Sequence, residues 1–573
     1  MNWKARAVAH VFEQIADLSE ISGIEPHKSY AYRRAARNIR NVEERFDALL
    51  EEDDLQSIAG VGPALAIKAL EIACTGRCEH LERLAEKVPI SVLDLLQVQG
   101  LGLKTAALIH QELGVSTLDE LEGAAREGRL RQVPGMGARR ELGILNSLEK
   151  RRDHGGLTLD WADGIATSLA ESLASHNAIE DAFPVGSLRR RSEMIGQLEL
   201  LVVSGFDGCI EDLALEELLW IREVRPMPSP GRSPWLHFEL LLESDVTCLV
   251  HCVPPEAAGE AMVCLTGSMA HVERLEALGY RCGEFPGGAS EEEIYRGLGL
   301  PLIAPELREW GDEVDAALVG TLPRLVRPGD LRGDLHCHTE WSDGAASVQD
   351  MVTAAQQRGL QYLAITDHSH SLPVVRGLDA ARLRKQAKEI RSVRKSNPGF
   401  CLLHGVEVEI GADGSLDLPD EVLHGLDVVI AAVHTGLRGS SEKMTHRLVR
   451  AARDPAVDII AHPTGRLLSS RHPETPDLEK LLQVCRDSGT AVEINSSPDR
   501  LDLPWRWVRR ARELGVALVV NSDAHSRDGL DMIRYGVDCA RKGWCRAGDL
   551  LNGSPASEIR KRFTSRLQRE VQN

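Results

Sequence analysis

From about residue 334 to 525 the chain repeats one unit: a short apolar run, a His, Asp or Glu where that run ends, then an amphipathic stretch. The runs are LAIT (363–366), LLHGVEVE (402–409), VVIAAV (428–433), VDIIA (457–461), TAVEIN (490–495) and VALVVN (516–521), with helical segments such as VQDMVTAAQQRG and LEKLLQVCRDSG between them. Alternating β and α units predict a parallel barrel whose chemistry lies at the C-terminal ends of its strands.

Metal-ligating residue types stand at those ends. The first strand runs into His336-Cys337-His338, with Asp343 in the WSDG turn that follows. LAIT leads to Asp367-His368, GVEVE carries Glu407 and Glu409, VVIAAV leads to His434, VDIIA to His462, and VALVVN to Asp523-Ala-His525. Side chains in a strand repeat every two residues, so an HxH pair puts both imidazoles on one face. A lone histidine in a core is usually a hydrogen-bonded packing residue. Six strand ends that all finish in His, Asp or Glu at one rim are not explained that way, because chance would scatter these residues along the strands and over both faces.

The motifs DLHCHTEWSDG, ITDHS, GVEVE, AAVHT, AHPTGRL and SDAH resemble the PHP (polymerase and histidinol phosphatase) superfamily over the whole C-terminal region. The resemblance implies a distorted (β/α)7 barrel with up to three divalent metals and nine filled ligand positions: His336, His338, Asp343, His368, Glu407, His434, His462, Asp523 and His525. It places His336, His338, Glu407 and Asp523 on one ion. Glu407 would bridge to a second, held also by His434 and His462, and Asp343, His368 and His525 would hold the third. His336, His338, Glu407, His434 and Asp523 are the expected catalytic centre. The mixed nitrogen and oxygen donors suit Mn²⁺ first, with Zn²⁺ or Fe²⁺ as alternatives. Such ions make water reactive near neutral pH for attack on phosphorus. Arg466 of HPTGR matches a position suited to holding a phosphate. Asp367, Glu409 and His370 are expected to orient ligands, with ordinary loop polarity as the alternative.

A chain of 573 residues exceeds a single hydrophobic core, so several domains are expected. The net charge of −19 argues against coating nucleic acid by bulk electrostatics but not against local contacts. The 12 cysteines lack regular spacing, which suits reduced thiols, and Cys74 and Cys78 have no second pair nearby with which to build a metal site. No apolar run is long enough to span a membrane, and the N-terminus is charged rather than signal-like. A cytoplasmic, nucleoid-associated protein is expected, without membrane contact.

Three N-terminal segments place an apolar residue before Gly-x-Gly and a helix after it: IAGVGPALAIKALE (58–71), VQGLGLKTAALIHQELG (98–114) and VPGMGARRELGILNSLE (133–149). The pairs Gly60/Gly62, Gly100/Gly102 and Gly135/Gly137 permit a tight turn that aims helix N-terminal amides at an anion. They resemble helix-hairpin-helix motifs, which hold DNA phosphates without reading bases. One such turn is common between helices; three within a hundred residues favour DNA binding. The basic stretch Lys28–Arg45 is either part of that surface or a solvated helix face. The first segment, with SYAYRRAARNI before it, resembles the lyase-type domain of family X DNA polymerases. That resemblance puts Lys68 at a Schiff-base position and Tyr32 at a second motif position, although a helix-surface lysine is the simpler reading of Lys68.

Residues 155–320 extend this resemblance to family X polymerases. FPVGSLRRRSEMIGQLELLVV (183–203) is similar to the palm motif GSxRRxxExxGDxDLLV, keeping Gly186, Ser187, Arg189, Arg190, Glu193 and Gly196. LTGSMAHVERL and EEEIYRGLGLPLIAPELRE resemble the thumb. The catalytic carboxylates do not follow. Where the family has DxD, the chain has Gln197-Leu198-Glu199, and the third Asp falls on Leu249. Two-metal nucleotidyl transfer needs clustered anionic oxygens, which an amide and a leucine do not supply. Only a register change bringing Glu243 or Asp245 into line would restore them.

The expected fold is therefore multidomain α/β. A lyase-like helical domain (1–85) precedes a fingers-like hairpin domain (86–152), an α+β nucleotidyltransferase-like palm (153–255), a thumb (256–321), a linker (322–333) and the PHP barrel (334–573). The expected activity is metal-dependent hydrolysis of DNA phosphodiesters, as a 3′–5′ exonuclease with abasic-site endonuclease or 3′-phosphatase action and no synthesis by the palm. The expected partner is DNA with gapped, nicked or primer–template ends, bound by a monomer. The alternatives are a small-molecule phosphomonoesterase and a non-catalytic DNA-end-binding protein.

Overall fold

The computed structural model describes residues 3–569 except 24–27, 43–44, 76, 99–100, 138–139, 142, 146–155, 176–178, 205–220, 228–234, 243–245, 282–289, 373–374, 438 and 469–474. Gly100, Glu243 and Asp245 thus lie outside the described residues. The chain divides into two compact units, Met1–Val319 and Gly320–Asn573.

The N-terminal unit begins with helices packed around one apolar cluster. The long helix Trp3–Ser22 supplies Val8, Phe12, Ile15 and Leu18 to it, all fully buried at helical spacing. Among the described residues seven strands follow: β1 (Leu157–Thr158), β2 (Asp181–Pro184), β3 (Met194–Ile195), β4 (Leu198–Val203), β5 (Ile221–Met227), β6 (Leu236–Leu242) and β7 (Thr247–Val253). β1 and β3 form an antiparallel ribbon, and the rest form a mixed sheet of order β2-β4-β7-β6-β5 with β4 and β7 parallel. Leu201, Val203 and Val253 pack one sheet face on Ala261 of the helix Ala258–Thr266.

The C-terminal unit is a barrel of seven parallel strands in chain order: β8 (Gly333–Cys337), β9 (Tyr362–Ile365), β10 (Cys401–Glu409), β11 (Val428–Ala432), β12 (Ile459–Ile460), β13 (Ala491–Asn495) and β14 (Leu518–Asn521). A bridge between Cys337 and Ala524 links its two edges, with His338 N–H donating to Ala524 O at 2.8 Å and Asp523 N–H to His336 O at 3.1 Å. Alternate strand residues fill the lumen, among them Leu335, Ala364, Leu403, Ile430, Ile459, Ala491 and Val519, closed at the base by Ile559 and Phe563 of the last helix, Ala556–Arg569. Their neighbours Val406, Val408, Val429, Ala431, Val492 and Ile494 face the outer helices. Several of those helices start at side chains that cap the first-turn amides: Ser347, Asp379, Ser440 and Asp477 each accept from the amide three residues on. Each cap contributes roughly 1 kcal/mol. Residues 320–333 belong to this unit: Val326 and Leu331 are buried in its outer core, and the Val326 and Arg332 amides donate to Cys545 O and Asn552 O.

Two details turn side chains into the rim. The β8–β9 register shifts between Asp334 and Cys337, so Leu335 points into the lumen below while Cys337 points outward among the helices and His336 and His338 point inward above. His462 and Asp523 have left-handed backbones, with φ of 27° and 55°, a strain that non-glycine residues hold where the surroundings fix it. Among the described residues Cys74 and Cys78 are free thiols.

His237 and His251 face each other across β6 and β7 with their Nδ1 atoms 2.7 Å apart. One ring donates and the other accepts, so at least the accepting ring must be neutral, and protonating both would break the contact. Burial pushes the His251 pKa down to about 4 and lowers that of His237. The folded state therefore binds fewer protons than the unfolded one, and stability present above pH ~6.5 is lost as pH falls toward the folded value. For His251 alone the expected loss between pH 7 and pH 5 is on the order of 2 kcal/mol. Urea unfolding at the two pH values should show a smaller loss for His251→Leu than for the wild type; equal losses would remove the pair from the pH dependence.

Candidate metal centre

All nine rim residues converge on the mouth of the barrel around Glu407, which is 1% exposed. Its Oε1 lies 3.0 Å from His462 Nε2 and 3.2 Å from His434 Nε2. Its Oε2 lies 2.8 Å from His368 Nδ1, 3.5 Å from His336 Nε2 and 3.6 Å from His338 Nε2. Asp523 Oδ1 stands 3.1 Å from His338 Nε2 and 3.5 Å from His336 Nε2. On the outer side, Asp343 Oδ1 is 3.7 Å from His368 Nε2, and its Oδ2 is 3.5 Å from His525 Nε2.

Donor atoms gather in three groups: His336, His338 and Glu407; His368, Glu407 and His434; and His338, Asp343, His368 and His525. His338 and His368 thus each belong to two groups, whereas the family resemblance gives each to one ion. The donor set fits divalent cations. His338 Nδ1 and His462 Nδ1 are buried without a hydrogen-bond partner. Burial and the nearby His525 and His368 hold the His338 pKa down at about 3, so it offers a neutral imidazole. Against burial, the charges of His368, His434 and His336 hold the Glu407 carboxyl well below its ordinary range. Also against burial, Glu407 raises His434 to about 9, and Asp343 and Asp523 raise His525 to about 9. These carboxylates call for positive charge, which cations at the same place would supply.

A shell of buried acids hydrogen-bonds to these candidate ligands and to the loops that carry them. Glu409 accepts from His434 Nδ1 at 2.9 Å and from Thr435 Oγ1 at 2.6 Å. Asp367 accepts from Thr339 N–H at 2.8 Å, Ser342 Oγ at 2.5 Å and Gln386 Nε2 at 2.6 Å, bracing the loop that carries Asp343. His370 is half-exposed with Nδ1 3.6 Å from Asp417. The sequence reading missed Glu493. It is fully buried, 2.7 Å from His336 Nδ1, and accepts from the His462 amide at 3.0 Å and Asn521 Nδ2 at 2.9 Å. Asn495, two residues on, donates to both Glu493 and Asp523 at 3.0 Å. The signal was present in TAVEIN, whose alternate residues Glu493 and Asn495 face the lumen. Asp502, also missed, accepts from the Thr464 and Gly465 amides just after His462. Arg466 donates to the backbone carbonyls of Arg500, at 2.9 Å, and Leu501.

In the N-terminal unit, the first two hairpins each pair a short 3₁₀ turn with a helix: Leu55–Ser57 with Pro63–Thr75, and Ile90–Gln97 with Leu103–Leu113. The third has its turn at Arg129–Gln132. Gly60 and Gly135 take φ of 87° and 82°, which favours glycine. A Cβ on Gly62, Gly102 or Gly137 would meet nothing within 4 Å, so a phosphate can approach these turns. Lys68 lies on the first of these helices, its Nζ 3.3 Å from Ala64 O. Tyr32 is buried, stacked on His80 at 6.0 Å. Arg33 and Arg40 of the basic stretch are paired with Asp17, Glu20 and Glu13, while Arg34 and Arg37 are exposed.

Comparison with known proteins agrees with this division. A PHP domain model matches residues 334–497. A helix-hairpin-helix domain model matches 4–78, and a tandem helix-hairpin-helix model matches 51–113 and 92–150. A "DNA polymerase/3'-5' exonuclease PolX" of Bacillus subtilis (strain 168) is 34% identical over 96% of this chain and 98% of its own length. The chain belongs to the PolX family. Its barrel alone is similar to a probable phosphatase of Thermoanaerobacter sp. (strain X514), 33% identical over 34% of this chain and 78% of that protein.

Within this PolX-family chain the palm lacks the acidic cluster of the barrel. Glu199 on β4 pairs in register with Leu249 on β7, so an isobutyl group stands where a second carboxylate would be needed. Gln197 turns its amide to Leu198 O at 3.2 Å. Glu199 lies against Gly186, where a Cβ would come within 2.7 Å of its Oε2; burial raises its pKa, opposed by the charge of Arg190. Arg189 is held bidentately by Glu291 at 2.9 and 2.6 Å, and Arg190 by Glu309 at 3.0 Å. Among the described residues no group of three metal-ligating side chains forms in the palm.

Glu493→Gln keeps the shape of the site but weakens the acceptor that fixes His336. Losing such a partner is expected to weaken Mn²⁺ binding roughly 10–100-fold, read by competition with a metal indicator at an unchanged unfolding temperature. Unchanged affinity would show that Glu493 does not orient the ligand.

Proposed function

We propose that this chain is a metal-dependent phosphodiesterase acting on DNA ends with 3′–5′ polarity, and that its palm does not synthesise DNA. The observation that carries the reading is the cluster of nine donor residues, Glu407 at its centre, together with hairpin turns open to phosphate in the same polypeptide. His336, His338, Glu407, His434, His462 and Asp523 would hold two cations, and Asp343, His368 and His525 a third. When bound, those ions supply Lewis-acid stabilisation of charge on phosphorus-bound oxygen and make a water nucleophile available near neutral pH. Glu493 and Glu409 keep His336 and His434 in one tautomer and orientation, so their free nitrogens stay aimed at the centre. Glu407 and Asp523 keep their charge at neutral pH because the surrounding imidazoles hold their pKa values low. Mn²⁺ is the expected ion, and abasic-site incision and 3′-phosphate removal would use the same centre.

A phosphomonoesterase acting on small molecules is favoured only by the likeness of the barrel to the probable phosphatases. The hairpins are unexplained by it. The readings separate on a 5′-labelled primer–template incubated with Mn²⁺, with and without dNTPs. The wild type should give a ladder of 3′-shortened products. His336→Ala/His338→Ala should lower that rate by at least ~10³-fold, since these ligands act as a unit, and neither protein should extend the primer. Extension by the variant would show a working palm. A wild type that leaves the DNA intact while hydrolysing a small phosphomonoester would favour the second reading.

A further inference from the structure

The helix Ala380–Ser396 carries the sequence AARLRKQAKEIRSVRKS, in which Glu389 is the one acidic residue. Its buried residues Leu383, Gln386, Ile390 and Val393 face the barrel. Arg384, Lys388, Arg391 and Lys395, spaced four, three and four apart, are all exposed, and that spacing puts them on one line along the opposite face. Lys385 flanks the line and is exposed too. The other basic residues of the helix are engaged. Arg382 donates to the carbonyls of Trp341, Arg376 and Gly377, and Arg394 pairs with Asp427 and donates to Leu402 O at 2.8 Å. Glu389 accepts from Trp341 Nε1 at 2.8 Å. Among the described residues the four cations of the line make neither an ion pair nor a hydrogen bond.

The line starts near the metal centre and runs away from it. The residue before the helix cap, Leu378, donates its amide to His368 O at 2.7 Å, and Trp341, which Arg382 grips, is two residues from Asp343. The far end lies near the start of β10. There the exposed Arg560 of the last helix, with Arg394, is the cation acting on Cys401. At 1.5 Å per residue the line is about 16 Å long, a length over which one DNA strand presents about five phosphates.

A solvated surface helix normally intersperses both signs of charge, each partly neutralising the other. Here a single sign is kept on one face in a chain whose net charge is −19, beginning beside a centre built for phosphoesters. We propose that this face of the barrel is a track for the phosphate backbone of a DNA strand leading to the metal centre. The partner is polyanionic and regularly spaced, and the contacts are to phosphates, so the track carries no base preference. This rests on the proposed action on DNA and adds where the strand lies.

The test uses the full chain with Arg384→Glu/Lys388→Glu/Arg391→Glu, changes confined to exposed side chains. Binding of a fluorescent primer–template is read by anisotropy over a NaCl series, with the charge reversals placed in the His336→Ala/His338→Ala background so that nothing is cut. Mn²⁺-dependent turnover is read in the otherwise wild-type chain. The slope of log affinity against log salt should become shallower by about 2 to 3, as three phosphate contacts are lost. KM for the oligonucleotide should rise tenfold or more, while hydrolysis of bis(p-nitrophenyl) phosphate stays at the wild-type rate, showing an intact centre. An unchanged salt slope overturns the track, as would be found if an acidic polypeptide were the occupant of this face. Should the wild type cleave only the small ester, the proposed function fails, yet the salt slope still decides whether DNA lies on this helix.

Discussion

The barrel depends on one buried carboxylate. Placing the Glu407 anion at 1% exposure costs several kcal/mol of lost hydration unless positive charge or donors surround it. Five imidazoles approach it from β8, β9, β11 and β12. The remaining polar residues of the rim can be traced outward from this requirement. Imidazoles that face a carboxylate or cation with one nitrogen need the other fixed, so Glu493 meets His336 and Glu409 meets His434. Those acids are themselves buried and need donors, which Asn495, Asn521 and Thr435 supply. The left-handed backbones of His462 and Asp523 are held by the same network: the His462 amide is bound by Glu493, and the Asp523 amide by His336 O.

The palm shows what remains when that requirement is absent. Its arginines are present but occupied. Despite burial, the hydrogen bond from Arg189 and the charges of Arg308 and Arg189 bring Glu291 down to about 2, and Arg308 is fully buried beside it at 2.5 Å. His271 joins Glu313 at 2.6 Å and Tyr295 at 2.8 Å in the same region. These charges are satisfied by one another. Their net effect is to tie the Gly186–Arg190 segment to the segments at 266, 291 and 309, a role in which rigidity suffices and a bound nucleotide is not required. Glu199 faces Leu249 on β7, and the carboxylate in the same row, Glu239, stands one strand further away on β6, so Leu249 separates the two acids.

The barrel was legible in the sequence because its chemistry follows the period of its strands. Most of the candidate ligands stand at or just beyond the end of an apolar run, and the two-residue repeat tells which neighbours share a face. Glu493 lies inside a run, where an acid reads as a strand residue facing solvent; Glu407 lies inside one too but was marked by the GVEVE motif. Asp502 was harder to see: it comes after the strand and reaches His462 through the backbone of Thr464 and Gly465. The hairpin glycines were legible from their repetition, since one Gly-x-Gly turn before a helix is common but three within a hundred residues are not. The engagement of Arg33, Arg40 and Arg466 was not, because their partners Asp17, Glu13 and the Arg500 and Leu501 carbonyls are set by tertiary packing that no local pattern encodes.

Net charge also gave less than its size suggested. Six acids of the barrel, Asp334, Asp367, Glu407, Glu409, Glu493 and Asp502, are at most 3% exposed and contribute nothing to the surface that a polyanion meets directly. Their fields are spent on imidazoles, hydroxyls and amides within a few ångströms, and cations held there would offset them further. What a DNA strand experiences at the ~8–10 Å range of electrostatics in physiological salt is the local set of exposed groups. On the helix Ala380–Ser396 that set is cationic, although the whole chain is acidic. An anionic chain can therefore act on an anionic polymer provided its acids are drawn inward to the chemistry and its unpaired bases are left along the path.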